Sequence, residues 1–239
     1  MDRIIYTSMT GANAAQHRQA LLSNNLANAS THGFRAEMAT FRSVPMQGDG
    51  STTRVFALEA TSGHVQTSGP AERTGRNLDA MAVGNAWFAV QALDGTEAYT
   101  RAGSFQVTEA GQLVTSTGLP VLADGGGPID VPPGAEVSLG ADGTVTAKTA
   151  GQPPTQVGRI KLATPGADTP LRRNATGEPL APDPAARMVS GALEGSNVNP
   201  VESMVGMIAA ARQFEQQMRL IQTAENDDKS AAQLLSLNG

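Results

Sequence analysis

The chain has 239 residues, of which 17 are basic and 22 acidic, and its formal net charge is −5. This acidic balance argues against non-specific nucleic-acid binding, which needs a surface rich in lysine and arginine. The absence of cysteine excludes disulfides, thiolate metal ligands and a cysteine nucleophile. The length is sufficient for one large or two small domains with a buried core.

Proline and glycine divide the chain into three parts. All 14 prolines lie between Pro45 and Pro200. Only four of the 26 glycines lie in the end segments 1–44 and 201–239, namely Gly11, Gly33, Gly206 and Gly239. Because these two residue types are the main helix breakers, the pattern predicts a helix at each end and turn-rich structure between them.

The N-terminal segment has a helical pattern with one face of small, polar and apolar residues. Residues on this face recur at alternating spacings of three and four: Ile5, Ser8, Ala12, Ala15, Gln19, Leu22, Leu26 and Ala29. Small side chains permit another helix to approach closely, but they bury little apolar surface. Gly33 is a suitable residue to end the helix. The first nine residues lack the features of a secretory signal, so we expect any export to use a different route.

The middle of the chain is typical of short antiparallel strands. Asp94-Gly95 follows an apolar run and indicates a hairpin, and the same kind of turn residue occurs at 109–111 and 142–143. We predict strands at residues 86–93, 104–108, 112–115, 137–139, 144–146 and 159–162. Residues 45–75 and 165–190 have turn residues without periodicity, which favours connecting segments. The pattern predicts an antiparallel sheet or barrel-like domain.

The C-terminal segment has the clearest helical periodicity. Six residues recur at spacings of three and four, as in a coiled-coil heptad: Met204, Met207, Ala211, Phe214, Met218 and Ile221. Asn199 is a suitable N-cap, and Pro200 suits the first helical position. At ~1.5 Å per residue, a helix over 201–235 would be about 50 Å long. Two arrangements remain open: a helical hairpin on the core of one monomer, or helices that pack mainly against other copies.

The sequence contains no recognisable catalytic, cofactor-binding or metal-binding motif. The three histidines, His17, His32 and His64, do not have the spacing of a zinc site. No serine lies in a Gly-x-Ser-x-Gly motif, and no glycine-rich phosphate loop is present. Adjacent Asp227 and Asp228 would point about 100° apart on a helix, which does not suit one metal ion. We therefore expect no enzyme activity and no cofactor, and we expect the long helices to carry the function.

Three blocks of the sequence resemble bacterial flagellar rod and hook proteins, the axial proteins of the flagellum. The first block is Ser23-Asn24-Asn25-Leu26-Ala27-Asn28-Ala29-Ser30-Thr31-His32-Gly33-Phe34-Arg35. The second block opens the C-terminal helix and includes Asn197, Asn199 and Pro200. The third lies in the predicted β region, at residues 84–90, 99–105 and 112–121. Within the family, the two ends of the chain are most similar to the proximal rod branch, with the distal rod branch as the alternative.

The resemblance implies an α+β fold. Its N- and C-terminal helices would pair as an antiparallel coiled coil, with a mainly antiparallel β domain inserted between them. The implied domains are a terminal-helix (inner core) domain of residues 1–44 and 196–239, an irregular connecting segment of residues 45–75, and a β domain of residues 76–195. The residues expected to pack the helices during assembly are Ile5, Ala12, Ala15, Leu22, Leu26, Met204, Met207, Ala211, Phe214, Met218 and Ile221.

The resemblance also implies a structural role in the flagellar basal-body rod, the shaft that transmits torque across the periplasm. The expected partners are other rod subunits, copies of the same chain and the flagellar type III export apparatus, with no nucleic acid, small-molecule substrate or membrane insertion. Export without a cleavable signal is implied, and the stretch from Phe34 to Met38 is similar to a short export element, although Phe34 also suits packing at the helix end. A secreted β-domain binding module or adhesin is the remaining alternative, and it does not account for the two helical ends.

Overall fold

The computed structural model describes residues 2–45, 55–166 and 179–237. These residues form two helices and fourteen strands, so the predicted α+β class is confirmed. The helices are α1 (Asp2–Ala27) and α2 (Pro200–Leu237). The strands are β1 (Glu37–Pro45), β2 (Val55–His64), β3 (Ala71–Arg73), β4 (Ala80–Ala82), β5 (Trp87–Gln91), β6 (Glu97–Thr100), β7 (Phe105–Val107), β8 (Leu113–Thr115), β9 (Glu136–Leu139), β10 (Thr144–Lys148), β11 (Thr155–Arg159), β12 (Leu162–Ala163), β13 (Met188–Ser190) and β14 (Ala192–Glu194).

The chain forms two compact units. The helix unit consists of Met1–Ala29, Ala36–Val65 and Val198–Gly239, and the β unit consists of Ser30–Arg35 and Gln66–Asn197. The chain therefore passes from one unit to the other four times. Both helices belong to the same unit although they lie at opposite ends of the sequence.

The ends of the two helices follow from local hydrogen bonding. At the start of α2, the side-chain oxygen of Asn199 accepts hydrogen bonds from the backbone N–H groups of Val201 (3.1 Å) and Glu202 (3.3 Å). Pro200 has no N–H and fits the first position, so the predicted start is confirmed. After α1, Gly33 has a φ of 73°, a left-handed conformation that favours glycine.

Within the helix unit, α1 contacts α2. A Cβ atom added at Gly11 would lie 3.0 Å from Cδ of Gln217, and one added at Gly206 would lie 3.0 Å from Cδ1 of Leu22. Residue numbers therefore increase along α1 where they decrease along α2, so the two helices run in opposite directions. At both positions the missing side chain of the glycine leaves room for a side chain of the other helix.

A long hairpin completes the helix unit. Strands β1 and β2 pair antiparallel over their whole length, with a register shift between Thr40 and Phe41. The side chain of Asn25 in α1 bonds both backbone groups of Glu37 in β1, accepting from its N–H at 2.9 Å and donating to its carbonyl at 2.9 Å. Strand β2 lies in the segment that the sequence predicts to be irregular. The structure therefore differs from the expectation of an irregular segment. A strand that is stabilised by pairing with β1 need not have a helical or alternating pattern in its own sequence.

The β unit consists of short antiparallel sheets joined by tight turns. Two sheets have three strands, in the orders β11-β10-β9 and β12-β5-β6, and three have two strands, β13-β4, β14-β3 and β7-β8. The predicted hairpin at Asp94-Gly95 is confirmed, because β5 pairs with β6 around it and Gly95 has a φ of 82°. The turns at Gly111 and Gly143, which also have positive φ, connect β7 to β8 and β9 to β10.

The core of the β unit is apolar. Phe88 and Phe105 are fully buried and meet edge to face, with ring centroids 5.2 Å apart and an interplanar angle of 88°. Other buried members include Leu113, Val121, Val145, Ile160, Leu162 and Met188. Phe88 thus lies in the strand core, whereas Trp87 beside it is half-buried and lies under the Arg101 guanidinium at 5.6 Å.

One predicted strand needs correction. Residues 159–162 do not form a single half-buried strand, because β11 ends at Arg159 and β12 begins at Leu162. Between them Lys161, expected to face solvent, is buried, and its Nζ atom lies 2.8 Å from Oε1 of Glu97. The ion pair compensates the burial of the ammonium group, a contact that alternation in one strand does not reveal.

Candidate assembly surface

The buried face of α2 differs from the predicted heptad register. Met207, Phe214 and Ile221 lie on the half-buried side, but Met204 and Met218 are exposed. Small residues are buried instead: Ser203, Ala210 and Ala224. The heptad assignment followed the large apolar side chains, whereas close approach of two helix backbones selects small ones. Ala211, also in the predicted set, is half-buried.

The face of α1 is also composed of small residues where it is most buried. Ala12 and Ala15 are buried, as is Ser8, while Ile5, Leu22 and Leu26 are half-buried. Burial of an alanine removes much less apolar area from water than burial of a leucine. The contact between the helices is therefore close but contributes little hydrophobic free energy per residue.

An exposed apolar surface runs along the first part of α2. It consists of Val201, Met204, Val205 and Ile208, which we call the α2 stripe, and each of these residues is at least 50% exposed. The spacings of three and four place all four on one side of the helix. The heptad prediction includes Met204 among the residues that pack during assembly, but it does not include the three β-branched residues. Their own spacing is the signal that could have found them.

A second exposed apolar pair lies on α1. Tyr6 and Met9 are about half exposed and are three positions apart, so they share a side of the helix. On α2, Met218 and Leu220 are exposed as well. Single exposed apolar residues are common, but groups on one helix face are typical of interaction surfaces.

The family-like residues at the ends of the chain make structural contacts. Within the helix unit, Asn25 bonds the backbone of Glu37, and the side chain of Asn28 donates to the carbonyl of Asn24 at 2.9 Å. Within the β unit, the N–H of Asn197 donates to the carbonyl of Phe34 at 3.3 Å, and its side chain donates to that of Thr67 at 2.8 Å. Of the remaining predicted residues, Ser30, Thr31 and Met38 are exposed and Phe34 is half-buried.

Gly33 lies in a position that only glycine can occupy. A Cβ atom there would approach the backbone of Arg101 and Ala102 to 2.4 Å. The N–H of Gly33 donates to the carbonyl of Glu194 at 2.7 Å, so the segment after α1 is fixed on the β unit's own backbone. Positive φ and close approach together exclude any side chain.

A charge cluster consisting of Arg35, Arg101 and Glu194 is buried in the β unit. Nη2 of Arg35 lies 2.8 Å from Oε1 of Glu194, and Nε of Arg101 lies 2.9 Å from Oε2 of the same carboxylate. Burial lowers the pKa of Arg101 to about 10, and the nearby positive charge of Arg35 acts in the same direction while Glu194 opposes it. Sequence analysis missed this cluster, because its members are far apart along the chain.

The described residues contain no group of three or more histidine, aspartate and glutamate side chains that could hold a metal ion. His17 is exposed on α1, His64 is half-buried, and Nδ1 of His32 lies 3.8 Å from Oε2 of Glu72 at the surface. Among the described helices, neither is long and apolar enough to cross a membrane.

Comparison with known proteins identifies the family. Residues 5–35 match the family described as flagella basal body rod protein, and residues 81–147 match the D1 domain of flagellar hook protein FlgE/F/G. Residues 189–234 match the C-terminal region of the flagellar basal body rod FlgEFG proteins. The chain is 43% identical to the flagellar basal-body rod protein FlgF of Salmonella typhimurium and 44% identical to FlgF of Escherichia coli, and both alignments cover 100% of each chain. The chain belongs to the FlgF family of flagellar basal-body rod proteins.

Membership in the FlgF family decides between the proximal and the distal rod branch, which the sequence alone left open. Identity to the flagellar basal-body rod protein FlgG of Buchnera aphidicola is 31%, over 96% of this chain and 98% of that protein. The FlgF similarity supports a structural subunit of the proximal rod, and the FlgG-like alternative is not favoured. The α2 stripe lies inside the matched C-terminal segment, and Gly33 lies inside the matched N-terminal one.

Proposed function

We propose that this FlgF-family chain is assembled into the rod through its two terminal helices and acts there mechanically, without enzymatic activity. Its partners are copies of the same chain and neighbouring rod subunits. Many helix contacts, each weak, combine into a stiff shaft that transmits torque. The flagellar names of the relatives and the exposed helix faces support this proposal.

The single observation that carries the proposal is the α2 stripe. Val201, Val205 and Ile208 expose most of their apolar surface on a helix whose opposite side contacts α1. Full burial of an exposed valine or isoleucine side chain contributes at most about 1.5–3 kcal/mol, and these partly exposed side chains forgo a share of it. A second subunit that covers the stripe would recover this free energy, which makes assembly favourable.

Within a subunit, α1 and α2 form an antiparallel coiled coil. Support comes from the two close approaches, Gly11 to Gln217 and Leu22 to Gly206, which run in opposite directions along the helices. The seam residues Met207, Phe214 and Ile221, at spacings of seven, suit a heptad. Small residues at Ser203 and Ala210 would permit the close packing.

The domains follow the division implied by the family, except that residues 45–75 are not only a connection, because they contain β2 of the helix unit and β3 of the β unit. Residues 1–44 and 196–239 form the terminal-helix domain, and residues 76–195 form the inserted β domain. The compactness of the β core around Phe88 supports a domain that folds as a unit.

The chain reaches the rod by export through the flagellar type III apparatus, without insertion into the membrane. The assembled rod crosses the periplasm. Phe34 and Met38 belong to the short export element, and Phe34 has a second role in packing. The similarity to rod proteins along the whole chain supports this route.

Substitution of Ile208 by glutamate tests the proposal. I208E places a charge in the α2 stripe, where it is solvated in the free subunit and would be buried in an assembly. We expect the variant to unfold at the same denaturant concentration as the parent and to be absent from purified hook–basal bodies, with swarming lost. Leu93, which is 99% exposed in the β unit, provides the matched control, and L93E should enter the rod normally.

Mass spectrometry of the basal bodies and of the culture medium separates assembly from export. I208E chain in the medium, together with its absence from the rod, indicates intact export and failed assembly. I208E at the parental level in the rod would contradict the proposed role of the α2 stripe. Retention of the parent chain inside cells that secrete other rod subunits would contradict the proposed export route.

A further inference from the structure

Three separate segments of the chain meet inside the β unit. They are residues 30–35, 66–70 and 194–197, which we call the crossing segments. The chain passes between the two units at four places, and each of these places lies in or next to a crossing segment. Backbone hydrogen bonds join them in pairs: Gly33 to Glu194, Asn197 to Phe34, and Gly195 to Pro70.

Side chains of the charge cluster bond each of the crossing segments. Arg35 donates to the carbonyl oxygens of Gln66 and Thr67. Oε1 of Glu194 accepts from the N–H of Gly69 at 3.1 Å. Arg101, which donates to the carbonyl oxygens of Gly84 and Ala86, connects the cluster to the residues before β5. The three side chains therefore hold the crossing segments to one another and to the strands.

The charges of the cluster do not cancel. Two guanidinium groups and one carboxylate leave a net charge of +1, and each of the three side chains is at most 4% exposed. Glu194 carries the negative charge between the two guanidinium groups, and the Ser68 hydroxyl accepts a hydrogen bond from each of them at 3.4 Å. Loss of one member of such a cluster is strongly unfavourable, because it leaves uncompensated charge in a medium of low dielectric constant.

We propose that Glu194 is a positioning residue whose buried carboxylate, held between Arg35 and Arg101, fixes the crossing segments on the β unit. None of the three residues belongs to the apolar cluster around Phe88 and Phe105, and the contact with that cluster is the hydrogen bond from Arg101 to the carbonyl of Ala86. Loss of the carboxylate therefore releases the crossing segments and leaves the core folded.

Amide hydrogen exchange of the purified chain tests this assignment with the variant E194Q. Glutamine preserves the size of the side chain and removes its charge. We expect the amides of Gly33, Gly69 and Asn197 to exchange at least about tenfold faster than in the parent. The amides of Phe105 and Leu113, which donate to the carbonyls of Leu78 and Ile129 in the core, should keep their protection.

Glu72 provides a matched control on the neighbouring strand. It lies opposite Leu193 in the β3–β14 pair, its side chain is about half exposed, and its carboxylate lies near His32. E72Q removes the same charge from a solvated position. We expect no change in exchange at the crossing segments, because exposed ion pairs contribute little to stability.

A second background tests whether charge is the cause. R35M removes one of the two guanidinium groups. The repulsion between Arg35 and Arg101, which E194Q would leave uncompensated, is therefore absent in this background. E194Q should then accelerate exchange at Gly33 by less than about threefold. An equal acceleration in both backgrounds would overturn the electrostatic role. Equal loss of protection at Phe105 and at Gly33, or no change at either, would overturn the positioning role.

Only the functional consequence of this inference rests on the proposed rod function: a subunit with loose crossing segments would transmit force poorly. The exchange experiment uses the unassembled chain and needs no partner. Failure of I208E to disturb assembly would leave the exchange result intact, and failure of the exchange prediction would leave the α2 stripe intact. The two proposals can therefore be rejected separately.

Discussion

The helix unit and the β unit use their apolar residues in opposite ways. In the β unit, large side chains such as Phe88, Phe105 and Ile160 are completely buried. In the described parts of α1 and α2, the buried residues are small or polar: Ser8, Ala12, Ala15, Asn25, Ser203, Ala210 and Ala224. The large apolar residues of the helices lie half-buried or outside. The β unit therefore buries its large apolar side chains in its own core, whereas the helix unit leaves large apolar side chains in water, where the proposed assembly would cover them.

The difference explains why an apolar helix face need not mark a monomer's core. Burial of small residues fixes the distance between two helices, and exposed large residues supply free energy when a partner arrives. The single tryptophan of the chain, Trp87, lies in the β unit, so its fluorescence reports on that unit alone. Far-ultraviolet circular dichroism reports mainly on α1 and α2. The two signals allow each unit to be tested separately.

The largest expected effect is at Phe88. F88A removes a fully buried ring and its edge-to-face contact with Phe105, and we expect the β unit to lose about 3–5 kcal/mol of unfolding free energy. Denaturant unfolding followed by Trp87 fluorescence measures this loss. The matched change F214A, at a half-buried position of α2, should cost no more than about 2 kcal/mol by circular dichroism. Comparable losses at the two positions would break the contrast between the units.

A smaller effect is expected at Asp79, a buried carboxylate in the β unit. Burial acts to raise the pKa of Asp79, but hydrogen bonds from Arg76 and Thr74 and the Arg76 charge outweigh it, so the pKa lies below its usual value. A depressed folded-state pKa stabilises the protein above the unfolded pKa of about 3.9, and this contribution is lost as pH falls through the folded value.

The variant D79N should therefore lower the stability of the β unit by about 1 kcal/mol at neutral pH. It should also reduce the loss of stability below about pH 4. Unfolding curves at a series of pH values, followed by Trp87 fluorescence, measure both effects. A parent and a variant with parallel pH profiles would show that the Asp79 carboxylate does not contribute through its charge. The circular dichroism signal of the helices should not change between them.

The smallest effect, of opposite sign, is expected at Gly11. G11A replaces a poor helix former in α1, which favours the helix by up to about 1 kcal/mol. The added Cβ would meet the flexible end of the Gln217 side chain, which can move aside. We expect net stabilisation by about 0.5 kcal/mol, measured by circular dichroism. Destabilisation would show that the distance between the helices is fixed more strictly than their exposed surfaces suggest. The control is A20G, at an exposed position of α1, which measures the effect of helix propensity alone.

Local signals predicted much of the fold. Asp94-Gly95 and the glycines at 111 and 143 specified hairpins because their turn geometry is encoded by one or two residues. Asn199-Pro200 specified the start of α2 for the same reason. By contrast, the strand pairs β3–β14 and β4–β13 join segments far apart in the sequence, and no local pattern encodes such pairing.

The candidate surface was predicted only in part. The heptad assignment selected α2, and Met207, Phe214 and Ile221 lie on its half-buried side. It did not identify Val205 and Ile208, because periodicity gives the spacing of apolar positions but not which of two adjacent faces meets the other helix. The charge cluster could not be predicted at all, since Arg35 and Glu194 come together only in the folded chain.

The distance between α1 and α2 along the sequence has a consequence for folding kinetics. Gly11 and Gln217, which lie close in space, are roughly 200 positions apart, so the closure entropy of this contact is large. The hairpins β5–β6, β7–β8 and β9–β10 close over only a few residues and form much sooner. We therefore expect the contact between the helices to form after these hairpins. A chain broken off before residue 200 would fold its hairpins and leave α1 without α2.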